Sequence, residues 1–382
     1  MISSAYAMDW PSEKVLVVGG SGFLGANIVH FLVSEANTPA RNIRVFSDRP
    51  SRALDGLPDV EQVKGDILSA ESVTNVCKDR TLVFHAAGST TFDPRLKRQQ
   101  WLVNVEGTRN VLGAVRDSKS VRRLCYTSTV NVLGCPYPEG SAGTEESCNP
   151  YTSRPRLHSF HSAQEALTLA DAVHEGDAPS GWWNRIRVGY FDSKLAAQEL
   201  VNRASREGLD VVSVLPGTCF GPYGELGDAI RLIRSVMKNR LPGVPRGGMP
   251  LAHVHDVARG HVLAIEKGRP GTQYIVSGRP EDNRRYAELV PIIAEVVHER
   301  DKNRSVREAF PVIPDAVVLA VAGVSEMWSY LRRKPILMSR QTASVSRYAL
   351  FYSSERAARE LGYRAQKSFR EGVEAMYRSL IS

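Results

Sequence analysis

The stretch VLVVGGSGFLG, Val15 to Gly25, runs four apolar residues straight into a glycine-rich turn, and ANIVHFL follows it with helical spacing. A buried strand, a glycine turn and a helix, in that order, bring backbone N–H groups and the positive end of a helix dipole to one point, where a pyrophosphate binds. Two glycine templates fit together: Gly20, Gly22 and Gly25 as GxGxxG, and Gly19, Gly22 and Gly25 as GxxGxxG. In the second, Gly19 makes the tight turn, Gly22 admits the phosphate and Gly25 lets the helix sit close on the sheet. No Lys followed by Ser or Thr closes the run, so a P-loop is excluded.

Outward from this loop the chain alternates short β-branched runs with longer amphipathic stretches, the pattern of a parallel sheet covered by helices. The strand candidates are Val15 to Val18, Ile43 to Phe46, Val60 to Val63, Leu82 to Ala86, Arg122 to Ser128 and Val211 to Leu215. Six such strands predict an α/β, doubly wound parallel sheet of Rossmann type over residues 12–225, with an insertion at about 141–187. Residues 226–382 read as a smaller, mostly helical substrate lobe, from which 250–278 return to the sheet core. The insertion holds a short helical pattern, Ala163 to His174, between turn-rich flanks; such a long excursion is expected to cover a substrate, with His158, His161, Trp182 and Trp183 as covering groups, and a surface excursion of no catalytic consequence is the alternative left open.

Composition excludes several classes. The 382 residues carry a net charge of +8, with 24% charged and 42% hydrophobic residues, as an ordinary globular protein does. The basic residues are scattered, which argues against a nucleic-acid partner. Five cysteines without a CxxC pair predict neither a metal site nor a disulfide framework and fit a cytoplasmic setting. No apolar run of about 18 residues predicts a spanning helix. The apolar stretch Pro311 to Val324 is expected to be a buried helix, because Asp315 and Glu326 interrupt it and no basic cluster flanks it; peripheral membrane contact is the alternative left open. A homodimer is the default among soluble oligomers.

The second strand should end in the group that reads the adenosine ribose, and it runs into Ser47, Asp48, Arg49 and Arg52. Asp48 would accept from a free 2′-hydroxyl, as in NAD, whereas Ser47 and the arginines could surround the 2′-phosphate of NADP, and both stay open. In YFDSKLAAQELV, Tyr190 and Lys194 are four apart and share a helix face. A phenol ordinarily titrates near about 10, and an ammonium beside it stabilises the phenolate, so proton exchange with an alcohol or ketone becomes feasible nearer neutrality. Ser128 and Thr129 close the fifth strand at its carboxyl edge, where a doubly wound sheet binds ligands.

Taken in order, GGSGFLG, HAAG (His85 to Gly88), NVEGT (Asn104 to Thr108), YTSTVNVLG (Tyr126 to Gly134), YFDSK and LPGTCFGPYG (Leu215 to Gly224) make a chain that resembles the extended short-chain dehydrogenase/reductases over nearly its whole length. The resemblance implies an NAD(P)-dependent enzyme. It implies that Gly19, Gly22 and Gly25, with Phe23 and Leu24 between them, line the pyrophosphate, and that Asp66, with Ile67, approaches the adenine. Ala86, Ala87 and Gly88 would form the floor beside the cofactor, and Asn104 would brace the central strands. Tyr190 would be the acid/base, Lys194 would hold the nicotinamide ribose and tune the tyrosine, and Thr129, with Ser128 its neighbour, would orient the substrate oxygen. Pro216 and Gly217 would sit near the carboxamide.

The later segments GGMPLAHVHDVARGHVLAIEKGRPGTQYIVSG and PILMSRQTASVSRYALFYSSERAARELGYRAQ are similar to the branch holding 3β-hydroxysteroid dehydrogenases, dihydroflavonol-reductase-like proteins and hopanoid-associated epimerase-like proteins. Met249, Pro250, Leu251 and Ala252 stand where nucleotide-sugar enzymes carry an arginine, with Arg246 upstream, and His255 stands where the branch often has an acid. An apolar approach favours a small hydrophobic substrate, steroid-, terpenoid- or polyketide-like, over a charged sugar nucleotide. The expected reaction is hydride transfer between nicotinamide and a secondary alcohol or ketone. The alternatives are an epimerase or dehydratase working through a transient ketone, and a non-catalytic cofactor sensor.

Overall fold

The computed structural model describes residues 8–136, 138–152, 157–178, 180–181, 189–224, 227–332 and 338–381, with only the backbone at 228, 330 and 332. Chain order gives β1 (Val15–Val18), α1 (Phe23–Ser34), β2 (Ile43–Ser47), β3 (Glu61–Lys64), α2 (Ala70–Cys77), β4 (Leu82–His85), α3 (Lys97–Trp101), α4 (Gly107–Asp117), β5 (Arg123–Thr127) and β6 (Ala142–Gly143). Then follow α5 (Ala163–Glu175), α6 (Gly189–Arg206), β7 (Val211–Pro216), β8 (Thr218–Phe220), α7 (Asp228–Met237), β9 (Gly248–His253), α8 (Val254–Lys267), β10 (Gln273–Val276) and β11 (Asn283–Arg285). The chain closes with α9 (Tyr286–Arg300), α10 (Asp315–Arg332), α11 (Arg340–Val345), β12 (Phe351–Tyr352), α12 (Glu355–Leu361) and α13 (Phe369–Ile381).

Seven strands form one sheet in the order β3-β2-β1-β4-β5-β7-β10, every neighbouring pair parallel. Residue alternation along β1 explains why both faces are covered. Leu16 and Val18 point into a core shared with α2, α4 and α6, while Val15 and Val17 point into a second core shared with α1 and α8. All four are fully buried. The chain winds outward in both directions from the gap between β1 and β4, so the carboxyl ends of those two strands open a crevice. All six expected strands are present, with ends shifted by at most two residues. The seventh, β10, adds an edge to β7.

The remainder is mostly helical. Phe220, Ile233, Leu289, Ile293, Phe369 and Val373 pack α7, α9 and α13 against the small sheet β11-β9-β8. Leu251 and Ala252, expected along an approach to the substrate, lie instead in the cores behind β9, and Met249 is the partly exposed member of that group.

The stretch Pro311 to Val324 departs from its expected burial. Val318, Ala322, Glu326 and Ser329 of α10 face inward, whereas Val317, Val321, Val324 and Trp328 face outward. The acids that seemed to break the apolar run in sequence are on the inner, paired side of the helix: Asp315 meets Arg246 at 3.2 Å and Glu326 meets Arg340 at 2.8 Å. No helix among the described residues is long and apolar enough to cross a membrane.

Candidate active site

The glycine loop leaves β1 at Gly19, whose φ of +83° lies in the left-handed region where a side chain is strained. A Cβ there would also strike Ala87 at 2.5 Å. Gly20 has no positive φ, although a Cβ there would press on the Val45 side chain at 2.7 Å, so the backbone geometry favours the Gly19, Gly22 and Gly25 template. A Cβ on Gly25 would meet the Gly19 carbonyl oxygen at 2.2 Å, and this absence of side chain lets α1 start flush against the turn. Gly22 is the N-cap of α1 and no side chain caps the helix, so the first-turn amides of Phe23, Leu24 and Gly25 are left for a ligand. A Cβ on Gly22 would touch only the Gly19 oxygen, at 3.3 Å, so the outer side of the loop is open. Those features fit a pyrophosphate.

Ser47 is buried at the end of β2 and accepts a hydrogen bond from the Ser21 N–H at 3.1 Å, which braces the loop from below. Asp48 and Arg49 follow it and are both exposed. Asp66 accepts from the Leu68 N–H at 2.9 Å, and the Ile67 carbonyl accepts from Asn110 at 2.9 Å, which ties this rim to α4.

Ala86, Ala87 and Gly88 extend from β4 along the crevice. A Cβ on Gly88 would lie 3.1 Å from Asn104 Oδ1 and 3.3 Å from Lys194 Nζ, so this floor is in close contact with two of the predicted site residues. Asn104 lies in a π-helical turn, Leu102–Glu106, of the kind often found at functional sites. It accepts from the Ser89 N–H at 2.7 Å and donates to the Ser89 carbonyl at 3.0 Å and to Ser193 Oγ at 2.9 Å. Ser193 in turn donates to the Tyr190 carbonyl at 3.0 Å. Asn104 therefore couples the loop after β4 to the helix that carries Tyr190 and Lys194, rather than bracing strands.

Lys194 is 5% exposed and its Nζ donates to the Thr127 carbonyl at 2.9 Å. Burial pushes its ammonium down to about 8. The same charge is felt at His85, fully buried at the end of β4, which burial and then the Lys194 ammonium push down to about 3. Tyr190 stands one helical turn before Lys194, with the Phe92 ring edge-on to it at 5.5 Å. Thr127 is itself fixed: His261 on α8 donates from Nδ1 to the Val257 carbonyl at 2.8 Å, so its Nε2 accepts from the Thr127 hydroxyl at 2.9 Å. Burial holds His261 neutral by pushing it down to about 4.

Thr129 is buried, and its Oγ1 accepts from the Asn131 N–H at 3.4 Å and the Asn131 side-chain amide at 3.2 Å. Both lone pairs are thus engaged, and the hydroxyl hydrogen has no acceptor among the described residues. Ser128 Oγ is buried without a partner among them. Gly217 follows Pro216 at the end of β7, where a Cβ would strike Ser277 Oγ at 2.6 Å and the Pro250 carbonyl at 2.9 Å. The structure thus brings Gly88, Asn104, Thr127 and Lys194 into contact, with Ser128 and Thr129 next along the chain and Tyr190 one turn away on α6. Asn131, Phe92, Ser193 and His261 complete the arrangement without having been singled out from sequence. Asn131 alone carried a local signal, a side chain two residues after a hydroxyl, which is a common short-range hydrogen-bonding pattern.

The insertion is anchored on α6. The Ser159 N–H and hydroxyl donate to the buried Asp192 at 2.5 and 3.1 Å, and Asp171 of α5 bridges Arg109 and Arg203 at 3.1 and 2.8 Å. His161, expected to cover a substrate, is exposed and pairs with Glu165 at 3.3 Å, while His158 is buried beside Tyr151. Trp182 and Trp183 lie outside the described residues. Two clefts of about 440 and 430 Å³, one lined by Glu145, Tyr151 and Glu199 and the other by His30, Tyr223 and His253, do not include Tyr190, Lys194, Ser128 or Thr129 in their linings. Among the described residues no group of His, Cys, Asp or Glu could hold a metal ion.

Comparison with known proteins gives two family matches: the 3-beta hydroxysteroid dehydrogenase/isomerase family over residues 16–170 and the NAD dependent epimerase/dehydratase family over residues 156–277. The chain is 25% identical over 377 residues to a 3-beta-hydroxysteroid dehydrogenase of Mycolicibacterium neoaurum, covering 92% of this chain and 86% of that protein. It is 33% identical over 279 residues to a 3 beta-hydroxysteroid dehydrogenase/Delta 5-->4-isomerase of Mycobacterium tuberculosis, covering 69% and 64%. Among solved structures, a nucleoside-diphosphate-sugar epimerase from Pseudomonas aeruginosa superposes with a TM-score of 0.69 at 18% identity, over 97% of this chain and 98% of that one. The chain belongs to the extended short-chain dehydrogenase/reductases and is an NAD(P)-dependent enzyme of that type.

Proposed function

We propose that this enzyme of the extended short-chain dehydrogenase/reductase family moves hydride between nicotinamide and the carbinol or carbonyl carbon of a hydrophobic secondary alcohol or ketone. The observation that carries the reading is Lys194. Its ammonium is almost completely buried, has a carbonyl oxygen as its hydrogen-bonding partner, and is pushed down to about 8 by that burial. A fold gains nothing from such a group, whereas a site that must hold positive charge beside a tyrosine and a ribose requires it.

Gly19, Gly22 and Gly25, with the first-turn amides of α1, would hold the pyrophosphate, and Ala86, Ala87, Gly88, Pro216 and Gly217 would flank the nicotinamide half. NAD(P), when bound, supplies or accepts the hydride at C4 of its nicotinamide. Tyr190 gives its phenolic proton to the substrate oxygen during reduction and takes it back during oxidation. Lys194 would favour the phenolate and donate to the ribose hydroxyls of the bound cofactor. Thr129 has both acceptor sites filled by Asn131, so its hydroxyl hydrogen is the part left to donate to the substrate oxygen. Phe92 beside Tyr190 lends the site an apolar wall, which supports a hydrophobic substrate, as do relatives named as hydroxysteroid dehydrogenases.

The test is Tyr190→Phe. It should keep the thermal stabilisation conferred by the preferred nicotinamide cofactor while lowering turnover by about a hundredfold to ten-thousandfold. Full turnover in that variant would defeat the assignment. The epimerase/dehydratase match over 156–277 supports a second reading in which the hydride is returned within one cycle. A net change in nicotinamide absorbance with substrate separates the two.

A further inference from the structure

The cleft of about 440 Å³ beside α6 is lined by polar groups whose unused hydrogen-bonding capacity is of one kind. Gln198, Glu199 and Asn202 line it from α6, with Gln198 one helical turn beyond Lys194. Glu199 is buried; its Oε1 accepts from the Tyr151 hydroxyl at 2.5 Å and its Oε2 from the Asn202 side-chain N–H at 3.1 Å. An ionised carboxylate only accepts, so the Asn202 amide is fixed with its nitrogen towards Glu199. Its Oδ1 then accepts from Gln198 Nε2 at 2.9 Å, and the same nitrogen donates to Ser213 Oγ at 3.0 Å. Turning the Gln198 amide over would set its oxygen against the Asn202 oxygen. Gln198 Oε1 is therefore the group left over, buried and without a donor among the described residues, on a residue only 2% exposed.

A second acceptor on the same cleft is left over in the same way. Glu145, from the start of the insertion, accepts from the Ile275 N–H of β10 at 2.6 Å through Oε1, and its Oε2 is buried with no partner among the described residues. Burial pushes its carboxyl above the ordinary value. Neither Glu145 nor Glu199 forms an ion pair among the described residues. The arginines on the rim are committed elsewhere: Arg356 meets Glu146 at 2.7 Å and donates to the Gln273 carbonyl at 3.0 Å, and Arg269 meets Glu360 at 2.8 Å. The cleft thus presents acceptors and negative charge with no cation of its own, and buried acceptors left unpaired are costly. Apolar side chains, Val132, Leu133 and Leu195, complete the lining.

We propose that this cleft binds a small primary alkylammonium ion, held by the acceptors left at Gln198 and Glu145, with its alkyl stem on Val132, Leu133 and Leu195. An ammonium carries three donors and a positive charge on one atom, which answers the spare acceptors and the uncompensated carboxylates together. The volume is that of a small-molecule site, and the apolar lining suits a hydrocarbon stem. A metal ion fits less well, because no group of three His, Cys, Asp or Glu converges among the described residues. A water could donate to the spare oxygens but would leave the charge of both carboxylates unanswered. The site stands on these contacts and does not rest on the proposed hydride transfer.

The experiment is a thermal-shift and calorimetric titration of the full-length chain, alone and with its preferred nicotinamide cofactor, against n-butylammonium chloride. Tetramethylammonium, sodium and magnesium chlorides at matched ionic strength are the comparisons. Butylammonium should raise the melting midpoint saturably, whereas tetramethylammonium, which has charge but no N–H, and the two metal salts should not. Glu145→Gln keeps an oxygen for the Ile275 N–H but removes the charge and puts an N–H₂ donor in place of the spare oxygen, so it should weaken butylammonium binding about tenfold or more. Its cofactor-induced stabilisation should match the parent, because Glu145 lies outside the cofactor site. A parent that butylammonium stabilises no more than the comparison salts do overturns the proposal. So does undiminished affinity in a Glu145→Gln variant that takes up cofactor as the parent does, and so does a larger effect of magnesium, which would make the cleft a metal site. Should the variant fail to fold, the parent's discrimination between butylammonium and tetramethylammonium decides the question by itself.

Discussion

Replacing Lys194 by methionine should destroy activity and stabilise the cofactor-free protein. The ammonium is 5% exposed and is pushed from an ordinary value near 10.5 down to about 8. Because the folded value lies below the unfolded one, the unfolded chain holds this proton more tightly. Below about pH 8 the lysine is charged in both states and the folded state bears the whole penalty. Between about pH 8 and 10.5 the folded protein loses the proton first and the penalty is progressively relieved. At about 1.4 kcal/mol per unit the penalty near neutrality is on the order of 3 kcal/mol. Methionine fills similar volume without charge, but leaves the Thr127 carbonyl without this donor, which returns on the order of 1–2 kcal/mol. The net gain is about 1–2 kcal/mol, or roughly 1–3 °C in a chain of this length. Calorimetry of parent and variant across pH 6–10.5 is the assay. The variant's advantage should be largest below pH 8 and shrink as pH rises, while its stabilisation by NAD(P) is lost. A variant less stable than the parent at neutral pH would refute the idea that Lys194 is held at the fold's expense.

Three further outcomes follow from the site. Gly25→Ala places a methyl 2.2 Å from the Gly19 carbonyl oxygen and 2.7 Å from Gly20 Cα, so it should cost about 1–3 kcal/mol or more in stability and abolish cofactor-induced stabilisation, read by thermal shift with each nicotinamide cofactor. Asn131→Ala removes the side-chain amide that orients Thr129 and should lower kcat by roughly tenfold with little change in cofactor affinity, as steady-state kinetics would measure. His261 is neutral in the fold, with its value pushed down to about 4 from an ordinary 6.5, so the unfolded state binds more protons as pH falls through that window and stability drops by up to about 3 kcal/mol. His261→Gln should flatten the acid limb of the stability curve between pH 6.5 and 4, as denaturant titrations would show.

Local spacing made most of the site readable. Gly19, Gly22 and Gly25, Tyr190 with Lys194, and Ser128 with Thr129 each sit within a few residues of one another, on an element whose type their neighbours already declare. What spacing could not reach were contacts made across the fold. Asn104 meets Ser193 because a π-helical turn aims it at α6, and neither its partner nor the turn leaves a local pattern. His261 reaches Thr127 from a helix 134 residues away in sequence. β10 lies within the 250–278 stretch expected to return to the sheet core, but its pairing with β7 is a long-range choice that its four residues do not announce. In α10 the signal lies in helical angle rather than in position along the chain. Asp315 and Glu326 looked like interruptions of an apolar run, whereas taken by helical angle they share the inward face and leave the other uniformly apolar.

The most direct test of the hydride-transfer reading uses reduced nicotinamide cofactor deuterated at both C4 positions, with a panel of sterol, terpenoid and polyketide ketones. The account predicts loss of nicotinamide absorbance with one ketone class and deuterium on the new carbinol carbon, in parent but not in Tyr190→Phe. Turnover of substrate with no net consumption of cofactor, or deuterium absent from the carbinol carbon, would contradict it.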